Sequence, residues 1–226
     1  MSTDWLLTQL HWQQPGFWML LSFLTGLIVL ALRRFIRPER YAQLRFGRWF
    51  AIPYLGLLFG GISPRLMGLS DIDWVAGLGT GVLMIFAVLV ILLLIRATLH
   101  LDEITVDERP PASPIDRLHQ VIHAGVQEFH WTFLRAGTWE LMLSAPVGYP
   151  QPAYWSVWIA SMLALPGIFT QYQRTSQRLI ASVVLLTTAI LFLYTRNFWL
   201  AWLLHACTQI LLGQRTRPQP TSAVPQ

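Results

Sequence analysis

Apolar runs of membrane-spanning length, punctuated by arginine, constrain this chain more than any other feature. Phe17–Phe35 and Trp74–Ile95 contain no acidic or basic residue before their arginine-rich or interfacial ends. A helix that crosses hydrocarbon needs about 20 mostly apolar residues, with some latitude where flanking Trp and Arg reach the interface. Tyr154–Thr170, Leu179–Thr195 and Phe198–Gly213 are shorter but strongly apolar. Trp49–Ile62 is interrupted by Pro53, Gly56, Gly60 and Gly61, and reads as either a kinked span or a re-entrant piece. His119–Ala145 is the least apolar candidate. Composition agrees with the runs: charged residues make up 12% of the 226 and mean hydropathy is +0.47, about half the charge of a soluble domain. The expectation is an all-α polytopic bundle of about seven spans over residues 1–213.

All 16 basic residues are arginine, and their positions fix the expected orientation. With seven spans and the N-terminus outside, thirteen arginines fall in inner connections or the inner tail, Arg65 and Arg196 fall outside, and Arg135 lies within a span. The positive-inside rule favours that arrangement. Removing the interrupted second span would place the Arg33–Arg48 cluster in one loop with Arg65 and invert everything downstream. Nucleic-acid binding would need the arginines gathered on a folded basic face, which this pattern excludes. The proline-rich, acidic "LDEITVDERPPASP" reads as an inner loop, and residues 214–226 read as a disordered inner-side tail. The start, "MSTDWLLTQLHWQQPGFW", lacks the basic region and cleavage site of a signal peptide, so the first span is expected to remain in an inner or plasma membrane. Cys207, the single cysteine, leaves no internal disulfide and reads as packing.

Most candidate motifs have plain structural readings. "GLGTG", Gly77 to Gly81, has no preceding strand and reads as small-xxx-small helix packing, as do Gly56 and Gly60. His119, His123 and His130 share a helix face, with Glu128 about half a turn from His119 and His130. That geometry is poor for a single-helix metal site, and neither a metal nor a cofactor is expected.

Glu128 and Arg135 differ in kind. Seven residues apart, they share a face of the fourth span, with Thr132 between them and Trp131 and Trp139 alongside. An ionisable group at that depth costs at least a few kcal/mol unless it is paired, protonated or facing water. Two readings remain open: a brace between helices, or a desolvated glutamate able to act as a general base on water. The last span holds His205, with Gln209 one turn below. Glu128 lies about 11 residues from Arg117 and His205 about 10 from Arg215, so each sits about 15 Å deep at 1.5 Å per residue. The two can share a membrane level.

These residues carry a resemblance to the CAAX-protease and bacteriocin-processing (CPBP, or Abi) superfamily of intramembrane proteases. Its members are polytopic bundles with an EExxxR helix, a later FxxxH helix and a final HxxxN or HxxxB motif. "TRNFWLAWLLHACTQILLG" resembles the last motif, and "GLLFGGISPRLMGLSDIDW" resembles the approach to the third span. The match departs from the family at four places. Gln127 stands at the first glutamate, Thr132 stands at the arginine, Gln209 stands at the asparagine, and "YWSVWIASMLALPGIF" has no histidine. Arg135, one turn on, takes the arginine's place by helical geometry. The resemblance implies Glu128 as base, His205 as orienter or oxyanion donor and Gln209 as second donor, with Arg135 and Gln127 in support. The implied substrate is a membrane-protein or lipidated peptide. The departures equally allow a non-catalytic scaffold or regulatory subunit of a membrane complex. Solute transport would rest on the intramembrane charges alone, without an inverted repeat.

Overall fold

The computed structural model describes residues 3–102, 113–172 and 175–212. Arg109, Arg174, Arg215, Arg217, most of the acidic loop and the 214–226 tail lie outside the described residues. Among the described residues, eight helices follow one another: α1 (Thr3–Gln9), α2 (Pro15–Leu32), α3 (Pro38–Leu58), α4 (Trp74–Asp102), α5 (Pro114–Ser144), α6 (Pro152–Gln171), α7 (Thr175–Thr195) and α8 (Phe198–Leu212). There is no strand among the described residues. Four helical segments are long and apolar enough to cross a membrane: Pro15–Leu32, Trp74–Leu94, Pro152–Gln171 and Gln177–Thr195.

Local chemistry sets the helix starts. Proline opens α2, α3, α5 and α6, where its missing N–H costs nothing and its fixed φ suits the first turn. Ser113 and Asp116 form a reciprocal capping box, so α5 begins at Pro114, five residues before the expected His119. The interrupted second segment is a continuous helix as far as Leu58. α3 is one 21-residue helix with Pro53 inside it, and it begins at Pro38, so Arg40, Arg45 and Arg48 are helical rather than loop residues. It ends at Leu58, and Gly60 follows at φ +70°, where a Cβ would meet nothing within 4 Å. Gly60 is therefore a turn residue, not the packing residue its spacing implied. Gly81 does pack: a Cβ there would lie 2.6 Å from Leu200.

The bundle is arranged around α5, which contacts α2, α3, α6 and α8, while α4 packs on α7 and α8. α5 is the most enclosed of the long helices although it carries Glu128 and Arg135, since all residues from His130 to Thr138 are buried. Conversely, the apolar α4 turns Val75 (90% exposed) and Leu83 (68% exposed) outward. Many apolar side chains face out while Glu128 and Arg135 face in, the distribution expected when the surroundings are hydrocarbon.

The connection 59–73 folds back over one end of the bundle. Ile62 and Met67 are fully buried, Ser63 N donates to Glu140 Oε1 at 2.8 Å, and Phe198 N donates to Gly68 O at 3.1 Å. Gly68, at φ +68°, leaves no room for a Cβ, which would sit 2.5 Å from Arg196 O. At the same end, Trp5 Nε1 of α1 donates to Ser144 O of α5.

Candidate functional site

The α5–α8 contact brings the predicted residues together. Gly125 admits Trp202 of α8, whose Nε1 donates to Val121 O at 3.0 Å; a Cβ at 125 would lie 2.7 Å from that nitrogen. Asn197 starts α8 by accepting hydrogen bonds from the N–H groups of Trp199 and Leu200 through Oδ1. One turn further along each helix from the Trp202 contact, His205 Nδ1 and Glu128 Oε2 are 3.1 Å apart.

The network runs through four side chains. Arg135 Nη1 donates to Glu128 Oε1 at 2.7 Å. His205 Nε2 lies 3.1 Å from Gln209 Nε2. With the amide donating to Nε2, His205 carries its proton on Nδ1 and donates to the carboxylate, so donors and acceptors match along the chain. One cation and one anion beside a neutral imidazole is the charge state that a fully buried site tolerates best. Glu128 is 0% exposed and Arg135 1%.

Two parts of the arrangement were not read from the sequence. Thr188 of α7 accepts from Arg135 Nη2 at 3.1 Å, while the guanidinium lies 5.3 Å over the Phe192 ring. Two adjacent threonines in an otherwise apolar "VVLLTTAILFL" were the available signal, but Thr187 turns outward to bond its own helix. Trp131, placed alongside by spacing, stacks on His205 at 4.9 Å and 15°.

Gln127 flanks the network rather than joining it. It lines, with Trp131, Tyr172, His205 and Gln209, an interstice with no volume open to a water molecule. Gln127 and Trp131 also line a cavity of about 370 Å³, so these two side chains are common to that cavity and to the interstice beside His205. His123 and His130 pack on the Trp49 ring at 6.0 and 6.2 Å. Among the described residues no three His, Cys, Asp or Glu side chains converge as metal ligands.

No protein-family model, curated protein or solved structure matched the chain.

Proposed function

We propose that the chain is a divergent intramembrane peptidase of the CPBP kind, in which Glu128 activates water against a peptide bond of a membrane-protein or lipidated substrate. What supports this reading is the 3.1 Å contact between Glu128 and His205, which are 77 positions apart in sequence, extended by Gln209. Each carboxylate oxygen keeps a second lone pair beyond its present partner. Glu128 takes a proton from water, the hydroxide oxygen bonds to the scissile carbonyl carbon, and negative charge moves to the carbonyl oxygen. Once Glu128 holds that proton, the His205 Nδ1–H it had bound is released to donate to the carbonyl oxygen, Gln209 offers its second amide N–H, and the proton on Glu128 passes to the departing amine as the C–N bond breaks. Arg135 keeps the carboxylate charged at low cost.

The topology belongs to the same proposal: seven spans in an inner or plasma membrane, N-terminus outside and C-terminus inside. It is supported by the grouping of helix ends. Connection 59–73, the end of α5 and the start of α8 meet at one end of the bundle, while Arg33 Nη1 reaches Thr170 O at the other.

The test is cleavage of fluorogenic transmembrane and farnesylated peptides by the full chain in liposomes. Glu128→Gln and His205→Ala are each expected to lower the rate by at least ~10²-fold, the scale of a lost general base. Equal rates in the variants would remove this site. A second reading, a non-catalytic scaffold or regulatory subunit, is favoured by the closed interstice beside His205 and by the missing α6 histidine. Absence of cleavage by the parent chain, together with a subunit that co-purifies in stoichiometric amount, would decide for it.

A further inference from the structure

The 370 Å³ cavity lies between α2, α3, α5 and α6, and its lining is both polar and apolar. Leu30, Leu134, Leu163 and Ile168 form apolar wall, whereas Arg45 and Arg48 of α3 supply cationic groups. Among the described residues no carboxylate lines it. Arg48 Nη1 donates to Ser22 O at 2.8 Å, and Arg45 sits 5.1 Å over Trp49, but the Nε of each arginine has no partner. Gln127 Oε1, His130 Nδ1 and both amide atoms of Gln171 around the same cavity are also unpartnered. Gln127 and His130 are only 1% and 7% exposed. Buried polar atoms are normally satisfied, and these six belong to residues that line the cavity, so side-chain rotation would bring them to a polar group held there. Two guanidinium groups facing that space, with no anion lining it, set the sign of the charge it would take.

The cavity also reaches the apolar surface. Leu27 of α2 and Met162 of α6 line it and are 63% and 70% exposed. At ~30 Å³ for a water-sized group, its volume takes about a dozen such groups, enough for a head group and the upper part of one chain.

We propose that this cavity binds an anionic phospholipid, its phosphate held by Arg45 and Arg48 and its first methylenes laid along Leu30, Leu134 and Leu163. Gln127, His130 and Gln171 meet the glycerol and ester oxygens. A zwitterionic choline head fits less well: no carboxylate among the described residues meets its ammonium there, and Arg45 already covers the Trp49 ring. This site does not depend on peptide hydrolysis.

The experiment is native mass spectrometry of the full chain in detergent, titrated with dioleoylphosphatidylglycerol or dioleoylphosphatidylcholine. Phosphatidylglycerol is expected to bind about tenfold or more tighter, the scale of a few charge-assisted contacts. Arg45→Gln/Arg48→Gln removes that preference, whereas Arg34→Gln, an exposed cation, leaves it unchanged. Gly167→Leu fills the cavity from α6, where a Cβ meets nothing within 4 Å, and weakens phosphatidylglycerol binding without touching an arginine. Equal binding of the two lipids, or undiminished binding by Gly167→Leu, overturns the proposal even if the double variant fails to fold. Displacement of the lipid by millimolar inorganic phosphate would reduce the site to a free-anion site and overturn the lipid assignment.

Discussion

A buried carboxylate with a guanidinium on one oxygen and an imidazole on the other can be dismantled in two ways, with different consequences. Arg135→Ala strands the Glu128 charge beside a neutral histidine, and breaking such a buried pair costs roughly 3–5 kcal/mol. Glu128→Gln/Arg135→Met removes both charges while keeping volume, so its loss is expected to be well below that of Arg135→Ala. Unfolding in detergent by denaturant titration measures both; a double variant as unstable as the single one would show that packing, not charge pairing, sets the cost. At this scale the sequence was informative where a residue stood out chemically. Glu128, Arg135, His205 and Gln209 stand out as polar residues in the sequence; spacing placed Glu128 with Arg135 and His205 with Gln209, and depth allowed the two pairs to meet without deciding it. Thr188 was not distinguishable from Thr187, because a hydroxyl in an apolar helix can always satisfy itself on the preceding turn, as Thr187 does. The stacking of Trp131 on His205 depends on the relative rotation of two helices, which spacing within either one does not contain.

Helix contacts decide whether those residues meet. The approach of α8 to α5 runs over Gly125, beneath Trp202, two residues before Gln127. Gly125→Ala should displace the Trp202 ring, lengthen its bond to Val121 O and cost ~1–3 kcal/mol by overpacking, despite alanine being the better helix former. The same unfolding titration reads the loss; a variant more stable than the parent would mean that the ring moves aside freely and does not set the spacing. Glycine spacing alone gave a mixed reading of such contacts. Gly81 proved to be a close approach to Leu200, but Gly60, at the same spacing from Gly56, is a left-handed turn residue beyond the end of α3. Gly125 has no small partner four residues away and carried no signal. Helix existence was legible for the seven long elements because long apolar runs have no other way to satisfy their backbone in hydrocarbon, whereas the short α1 was not foreseen. Boundaries were less so: α3 and α5 extend through charged residues that a hydropathy reading assigns to loops, held there by Pro38 and by the Ser113–Asp116 box.

For the whole molecule, the central helix α5 encloses Glu128 and Arg135 while the apolar α4 turns Val75 and Leu83 outward, an order that water would reverse. This polarity argues for the membrane but leaves orientation to the arginines. In the proposed topology α3 crosses despite its low hydropathy, because its arginines lie towards its start, where Arg45 and Arg48 enter the bundle rather than face lipid. The α2–α3 turn and the 59–73 connection must then lie on opposite sides. In a Cys207→Ala background, Arg34→Cys should react with a membrane-impermeant maleimide from the inner side alone, and Ser70→Cys from the outer side alone. Both positions are exposed, so lack of reaction from a given side reports the membrane rather than burial. Both cysteines reacting from one side would make α3 a non-crossing helix and would invert α4 through α8. The reverse assignment would keep seven spans and place the Arg45–Arg48 cavity on the outer side, where the arginine distribution no longer follows the positive-inside rule.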